Sequence, residues 1–416
     1  MHSSPWAAVG ATSRPAHSLY NCGMKTVSLR MQHVETPIIP TIAALVRATP
    51  GTISLGQGVV NYGPPAAALA AIPAMAAEPA NHKYQAVSGY APLHDAIHAK
   101  LAVENGIDAA GTELMVTAGS NMAFLNAVLA IADPGDEFIL PMPYYFNQEM
   151  AVRMANAVPV PVPTRADFQL NIDAIAAAIT PQTRAIITVS PNNPTGAVYP
   201  EDDLRAVNEL CRRHGLYHFS DEAYEYFVYD GASHFSAASI AGAHEYTLSF
   251  YSFSKTYGMA SWRVGFVVYP AHLADAMNKV QDTNLICAPM VSQAVALAAL
   301  KLGKSAIEPH LRDLAYVRGM VHSALDTLGD LIDYPKTQGA FYALMKFPGV
   351  DDALAFNQQM TRRHKVATIP GFAFGLTDTK AANYQRLSYG ALDQASVQQG
   401  VSRLIAAVRD WYGVHR

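Results

Sequence analysis

Charged residues are scarce in this chain. Asp, Glu, Lys and Arg make up 15% of its 416 residues, and 29 basic against 33 acidic side chains leave a net charge of -4 at pH 7. A protein that binds nucleic acid or an anionic lipid surface through electrostatics needs a basic patch, and this composition supplies none. We therefore exclude these partner classes and expect a small-molecule partner.

Cysteine and long apolar segments are scarce as well. The three cysteines, Cys22, Cys211 and Cys287, lie far apart and without C-x-x-C spacing, which argues against a disulfide framework and against a zinc site. No apolar run reaches the roughly 18 residues that a membrane-spanning helix needs. Residues 1–23 lack the charged and apolar regions of a signal peptide. We expect a cytoplasmic protein with no metal centre and no membrane segment.

Half of the residues are hydrophobic, and a chain of this length can form two packed domains with a buried site between them. After Gly106, short apolar strand candidates alternate with helix candidates, a pattern typical of a mostly parallel sheet with right-handed crossovers. After Pro289, long helices and short strands indicate an α+β region. We predict a loose tail, an arm that joins the small domain, a large domain and a small domain at residues 1–36, 37–60, 61–305 and 306–416.

Polar segments follow the predicted strands, where ligands bind in open α/β sheets. In "TAGSNMAF", a strand gives way to a helix start, and the backbone N–H groups of Gly119, Ser120 and Asn121 would favour an anion. A tight turn would explain the same letters. In "SDEAY", Asp221 would be a buried carboxylate in need of a cationic partner, or else a helix N-cap.

A lysine stands in an apolar setting in "SFSKTYGMASWRVG", residues 252–265. Lys255 is flanked by Ser252 and Ser254, and Arg263 follows eight residues later. The aromatic and apolar neighbours in this stretch argue against a solvated face. An uncharged amine at a strand end beside a cation is what a Schiff-base lysine next to a phosphate site requires.

Taken together, the motifs resemble those of the class I/II aminotransferases, pyridoxal-phosphate enzymes of fold type I. The resemblance covers residues 37–416 and rests on the order Asn193, Pro194, Thr195, Gly196, Asp221, Tyr224, Ser252, Ser254, Lys255, Arg263 and Arg386. It implies an α/β fold in which helices cover a mostly parallel seven-stranded sheet. The C-terminal part and the N-terminal arm would form the smaller α+β domain. The implied cofactor is pyridoxal 5'-phosphate.

The resemblance also implies roles around the cofactor ring. Lys255 would hold the cofactor as a Schiff base and then move a proton as general base and acid. Asp221 would pair with the pyridine nitrogen and keep it protonated. Tyr224 and Asn193 would bind the phenolic oxygen, and Tyr145 would stack on the ring.

Further roles concern the phosphate and the substrate. The phosphate would rest on Gly119, Ser120, Asn121, Ser252 and Arg263. Tyr84 matches a tyrosine that reaches the phosphate of the neighbouring subunit, which implies a homodimer. Arg386 would clamp the substrate α-carboxylate in a bidentate manner, helped by Asn193 and the backbone of Gly58.

Substrate preference is predicted from a missing cation. Dicarboxylate-specific relatives carry an arginine before a turn that matches residues 282–290, and this segment has no Arg or Lys. We expect a donor with a neutral side chain, aromatic or methionine-like, bound in a pocket that Tyr62, Tyr144, Phe372 and Phe374 could line. These four residues could equally belong to the core.

Two alternatives and three details remain open in the sequence. The same cofactor chemistry would serve a lyase, by C–S β-elimination or by the γ-elimination of an aminocyclopropane-carboxylate synthase. A non-catalytic relative is disfavoured by the intact Lys255, Asp221 and Arg386. Ser261 departs from the glycine that many relatives carry before the Trp–Arg pair. We also expect cis peptide bonds at Met142–Pro143 and Asn193–Pro194.

Overall fold

The computed structural model of the chain describes residues 27–376 and 383–414. Cys22 and most of the predicted tail lie outside the described residues. The strands in these ranges are β1 (Ile53–Ser54), β2 (Thr112–Thr117), β3 (Glu137–Met142), β4 (Val158–Pro163), β5 (Thr183–Val189), β6 (Tyr217–Asp221), β7 (Thr247–Ser252), β8 (Gly265–Pro270), β9 (Tyr342–Lys346), β10 (Val366–Ala367), β11 (Ile369–Pro370) and β12 (Tyr384–Ser388).

Helices follow most of these strands. They are α1 (Leu29–Gln32), α2 (Ile38–Arg47), α3 (Ala66–Leu69), α4 (Ala71–Ala77), α5 (Ala91–Lys100), α6 (Ser120–Ile131), α7 (Phe146–Met154), α8 (Ile172–Ala177), α9 (Glu201–His214), α10 (Phe253–Thr256), α11 (Ala274–Asn284), α12 (Met290–Lys301), α13 (Glu308–Asp326), α14 (Ala353–Gln359) and α15 (Gln394–Trp411). None of the helices in the described part of the chain has the length and apolarity needed to cross a membrane.

A seven-stranded sheet forms the larger part of the molecule, in the order β2-β8-β7-β6-β5-β3-β4. Strands β4, β3, β5, β6 and β7 pair in parallel, whereas β8 runs antiparallel to both β7 and β2. Every residue of β8 is buried, as are five of the six residues of β7. Central strands buried on both faces have continuous apolar sequences. The predicted mostly parallel sheet covered by helices is confirmed.

A smaller antiparallel sheet has the order β11-β12-β9, and β1 pairs in parallel with β10. The N-terminal segment thus contributes a strand to elements that lie far along the chain. Buried side chains from both ends of the sequence share one apolar cluster, which includes Leu55, Phe341 and Val401. The domain boundaries proposed from the sequence stay a prediction.

The turns at two strand ends carry cis peptide bonds. One lies at Met142–Pro143, as predicted. The other lies at Ser190–Pro191, and Asn193–Pro194 is not among the cis bonds of the described residues. The second prediction was therefore wrong by three residues. The motif "SPNNPTG" contains two X-Pro bonds, and local sequence does not show which of them is cis.

Candidate active site

A cavity of about 310 Å³ lies at the carboxyl ends of the parallel strands. Twelve of the residues singled out from the sequence line it: Gly58, Ser120, Asn121, Tyr145, Asn193, Asp221, Tyr224, Ser252, Ser254, Lys255, Arg263 and Arg386. They come from segments up to 328 positions apart (386 − 58). The fold therefore assembles the predicted site residues around one space, while their individual roles stay predictions.

Lys255 lies in the short helix α10, directly after β7. Its ammonium group donates to the main-chain carbonyl of Gly58. The pKa of Lys255 is lowered from 10.5 to about 8, mainly by burial and also by the nearby cations Arg386 and Arg263, while Asp221 opposes the shift. An amine with such a pKa has a substantial neutral fraction near pH 8, and the neutral amine is the nucleophilic form.

Asp221 ends β6 and is held from two sides. Gln148 Nε2 donates to its Oδ2 at 2.7 Å, and the backbone N–H of Ala223 donates to its Oδ1 at 3.2 Å. Burial raises the pKa of Asp221 to about 6 despite these donors. A fixed carboxylate with such a pKa is poised to bind a cationic N–H group.

Helix α6 begins at Ser120 without a side-chain cap, directly after Gly119 with φ 85°. A Cβ at Gly119 would lie 2.2 Å from Arg263 Nη2, so the arginine approaches the helix start at a distance that only glycine permits. Arg263 has no carboxylate within 4.0 Å in the described residues. The guanidinium donates only to the main-chain carbonyls of Ala260 and Ala118 among the described residues. An uncapped helix N-terminus beside a guanidinium without a carboxylate partner suits a phosphate group.

Arg386 is 2% exposed and lacks a carboxylate partner in residues 27–376 and 383–414. Its Nη1 donates to Asn193 Oδ1 at 2.8 Å and its Nη2 donates to the carbonyl of Gly56 at 2.7 Å, while its Nε has no partner. A buried cation without a counter-ion is costly. This arginine is therefore arranged to receive an anion from the cavity.

Two residues that the sequence patterns did not single out belong to the site. Tyr342 lines the cavity, and its hydroxyl lies 2.7 Å from that of Tyr224. Gln148 binds Asp221 as described. Asn193 Nδ2 donates more weakly to the Tyr224 hydroxyl, at 3.4 Å. Of these two residues, only Gln148 could have been inferred from the sequence, because it follows Tyr145, the N-cap of α7, by three residues, which is about one helical turn.

Several predicted residues lie elsewhere. Tyr84 is 80% exposed and does not line the cavity. Tyr62 donates to the carbonyls of Lys255 and Thr256 and lines a neighbouring cavity, and Tyr144 and Phe372 line a third. Phe374, the fourth aromatic residue proposed for the substrate pocket, presents its ring to Arg386, with the ring centre 5.0 Å from the guanidinium.

The donor set fits pyridoxal 5'-phosphate. The cavity offers an amine for a carbonyl carbon at Lys255, a carboxylate for a pyridinium at Asp221, and a phosphate cradle at Ser120 and Arg263. Arg386 is the remaining cation of the described lining residues. A fold of this kind with these groups defines a pyridoxal-phosphate enzyme of fold type I.

Known proteins agree with this class. The sequence profile described as "Aminotransferase class I and II" matches residues 50–404. An aromatic aminotransferase of Arabidopsis thaliana is 32% identical over 393 residues, which is 92% of this chain and 96% of that protein. A probable aspartate/prephenate aminotransferase of Aquifex aeolicus is 34% identical over 337 residues, 79% of this chain and 84% of its own length.

Solved structures are similar as well. An aromatic aminotransferase from Pyrococcus horikoshii superposes with a TM-score of 0.82 at 33% identity, covering 90% of this chain and 100% of that one. The aspartate aminotransferase from Rhizobium meliloti superposes with a TM-score of 0.86 at 29% identity, covering 93% and 99%.

The chain belongs to the aminotransferase class I and II family. It is a pyridoxal-phosphate-dependent aminotransferase, with amino acids and 2-oxo acids as its substrates. The lyase alternative is not favoured, because the relatives named above are aminotransferases.

Proposed function

We propose that the enzyme transfers the α-amino group of a neutral L-amino acid to a 2-oxo acid by a ping-pong mechanism. The observation that carries the proposal is the distribution of cations in the cavity. Among its described lining residues, the cations are Lys255, Arg263 and Arg386. Lys255 and Arg263 fit the cofactor, so Arg386 is left for a single substrate carboxylate.

The residues have distinct proposed tasks. Bound pyridoxal phosphate supplies an electron sink for the pair released when the Cα proton leaves. Lys255 takes that proton on Nζ and returns it, which its lowered pKa favours. Asp221 holds a proton on the pyridine nitrogen, and Arg386 with Asn193 fixes the carboxylate so that Cα faces Lys255.

The ping-pong order follows from the single clamp. Amino donor and oxo acceptor each carry an α-carboxylate, and one buried arginine cannot bind both at the same time. The first product must therefore leave before the second substrate enters. Parallel lines in double-reciprocal plots of rate against donor concentration, at several acceptor concentrations, are the expected kinetic result.

The preference for neutral side chains rests on what else lines the cavity. Ile39, Val59 and Phe146 present apolar surface, and no cation remains for a second carboxylate among the described lining residues. Burying an unpaired carboxylate costs on the order of several kcal/mol. The Arabidopsis relative is named for aromatic substrates, whereas the Aquifex relative is named for aspartate and prephenate. An acidic donor is thus the competing outcome.

We also propose a homodimer in which Tyr84 completes the neighbouring site. Tyr84 is a large aromatic residue that is 80% exposed, and it lies in a loop with Lys83. Light scattering coupled to gel filtration would measure the mass. A monomer at micromolar concentration with full activity would contradict the proposal.

A donor screen tests the proposed substrate class. Each common amino acid is paired with 2-oxoglutarate and with pyruvate, and amino-acid product and ammonia are both measured. We expect aromatic amino acids or methionine to exceed aspartate in kcat/KM, with no ammonia beyond background. Aspartate as the best donor would overturn the substrate class, and ammonia without an amino-acid product would favour the lyase.

The same preparation tests the central residue. We expect a yellow protein that loses its visible band on reduction with borohydride, and peptide mapping should then find the cofactor on Lys255. Lys255→Ala is the control and should show neither label nor turnover. Label on another lysine would contradict the assignment.

A further inference from the structure

Tyr342 and Arg386 project from one face of the small antiparallel sheet. Tyr342 opens β9 and pairs with Ser388 of β12, while Arg386 pairs with Leu344 two residues further along β9. Paired residues of antiparallel strands share a face, and so do residues two positions apart. The register therefore places the phenol ring beside the guanidinium, and the guanidinium carbon lies 4.6 Å from the ring centre.

The aromatic contact holds an otherwise uncompensated cation. Tyr342 and Phe374 both present their rings to Arg386, at 4.6 and 5.0 Å. The negative face of an aromatic ring attracts a guanidinium. The rings contact the guanidinium face and accept none of its N–H groups in their planes, so Nε and the second hydrogens of Nη1 and Nη2 remain for a carboxylate.

The hydroxyl of Tyr342 meets a second site residue. It lies 2.7 Å from the hydroxyl of Tyr224, and burial raises the pKa of both phenols, that of Tyr342 to about 12. Both groups therefore keep their protons at neutral pH. Each hydroxyl has one proton to give. If Tyr342 donates to Tyr224, the proton of Tyr224 is available for an acceptor in the cavity.

Tyr342 also contacts Gly58, the residue whose carbonyl binds Lys255. A Cβ at Gly58 would lie 2.7 Å from the Tyr342 hydroxyl oxygen and 3.7 Å from Arg386 Nη2. The carbonyl of Gly58 accepts the hydrogen bond from Lys255. Tyr342 thus packs against the backbone that positions the amine, as well as against Arg386 and Tyr224.

We propose that Tyr342 is a positioning residue with two separable tasks: its ring orients Arg386 for the substrate carboxylate, and its hydroxyl directs the proton of Tyr224 toward the cofactor. The inference rests on the proposed roles of Arg386 and Tyr224. It does not depend on which amino acid is the donor.

Two substitutions separate the tasks. Tyr342→Phe keeps the ring and removes the hydroxyl, whereas Tyr342→Leu removes both. Tyr384→Phe, on the adjacent strand β12 and away from the cavity lining, is the matched control for loss of a hydroxyl. The readouts are kcat and KM for the best donor of the screen and the dissociation constant of 3-phenylpropanoate, a carboxylate without an amino group. The fourth readout is the pH midpoint of the visible absorption band.

For Tyr342→Phe we expect kcat to fall about five- to tenfold, as for the loss of one buried hydrogen bond, with KM and the 3-phenylpropanoate constant within about twofold of wild type. The pH midpoint should rise, because a hydrogen-bond chain strengthens the donation that stabilises a charged phenolic oxygen. For Tyr342→Leu we expect 3-phenylpropanoate to bind about five- to thirtyfold more weakly in addition, as for a desolvated cation–π contact.

A double-mutant cycle with Tyr224→Phe tests whether the Tyr342 hydroxyl acts through Tyr224, and it separates a failure of this inference from a failure of the proposed role of Tyr224. If the hydroxyl acts through Tyr224, Tyr342→Phe should change neither kcat nor the pH midpoint in the Tyr224→Phe background. Full additivity would overturn the proposal, as would wild-type values for Tyr342→Phe. If Tyr224→Phe alone left the pH midpoint unchanged, the assigned role of Tyr224 would fall, and the hydroxyl task with it. The 3-phenylpropanoate result would still decide the ring task if Tyr342→Leu folds, and Tyr342→Met replaces it if it does not.

Discussion

Gln148 and Asp221 form an unequal pair. The amide nitrogen of Gln148 donates to Asp221 Oδ2 at 2.7 Å, while the amide oxygen of Gln148 is buried without a partner. The glutamine is 2% exposed, so burial has left half of its hydrogen-bonding capacity unused. Since burying an unpaired amide oxygen is unfavourable, we expect the role of Gln148 to be its hydrogen bond to Asp221.

Gln148→Met should therefore weaken cofactor binding. It removes one of the two donors that hold Asp221, and the pKa of Asp221, already raised by burial, should rise further. We expect the apoprotein to bind pyridoxal phosphate about three- to tenfold more weakly, the effect of one charge-assisted hydrogen bond. Fluorescence titration measures this. Gln169→Met is the control, because Gln169 also has a buried unpartnered Oε1 but does not line the cavity. An equal loss in both variants would refute a specific role.

Arg386→Lys should raise KM with little change in stability. Lysine keeps the charge but offers a point donor in place of a planar fork, so it cannot hold Asn193, Gly56 and a bidentate carboxylate together. We expect KM for the donor to rise about ten- to hundredfold, corresponding to the loss of one to two charge-assisted hydrogen bonds. Arg403→Lys, which changes an arginine bound to the carbonyls of Gly51 and Lys365, controls for the exchange itself. An unchanged KM would contradict the proposed clamp.

Lys255 should make the stability of the apoprotein depend on alkaline pH. Its folded-state pKa is about 8 and its ordinary value is 10.5, so between these values the unfolded chain binds more protons. Stability must then rise with pH in this window. We expect wild type to gain stability relative to Lys255→Met as the pH rises from 8 to 10.5, measured by urea unfolding. Lys279→Met, which changes a surface lysine of α11, is the control for losing a charge. A difference that stays constant with pH would argue against the shift.

Gly58→Ala should damage the site without damaging the fold. The new Cβ would lie 2.7 Å from the hydroxyl oxygen of Tyr342, closer than carbon and oxygen can approach, so Tyr342 or the backbone of Gly58 must move. We expect kcat/KM to fall about tenfold or more, since a small misplacement of reacting groups has large kinetic effects. Gly319→Ala is the control, because its Cβ would meet nothing within 4 Å. Equal activities of the two variants would show that the contact is without consequence.

Much of the fold was accessible from local patterns. Apolar residues recur at helical spacing after Pro37, a pattern that indicates a helix, and the structure has α2 at Ile38–Arg47. The sequence also indicates a terminal helix over residues 393–411, and in the structure Asp393 is the N-cap of α15, accepting from the backbone N–H of Ser396. These features depend on neighbours within a few positions. They could be predicted because the forces involved act along the chain.

The parts that were missed depend on distant contacts. Tyr342 meets Tyr224 from 118 positions away, through strand register that no local pattern specifies. Tyr62 was a candidate for the substrate pocket or for the core, and the structure has it bound to the backbone of Lys255 and stacked on His310 at 3.9 Å. Both residues are aromatic, and aromatic side chains suit the core and a ligand pocket equally well. Composition could not distinguish the two.

The antiparallel course of β8 has a consequence for how this site can change. Because β8 runs against β7, the chain leaves and re-enters the sheet at the same edge, with Ser252 paired to Gly265. Lys255 and Arg263 both lie in the short connection between them. The amine of Lys255 and the guanidinium of Arg263 thus belong to one short connection, and strand pairing fixes both of its ends. An insertion in this connection would displace Lys255 and Arg263 together, so its length can change little. Residues on the substrate side of the cavity, such as Arg386 and Tyr342, come from other segments and can be substituted without altering this connection.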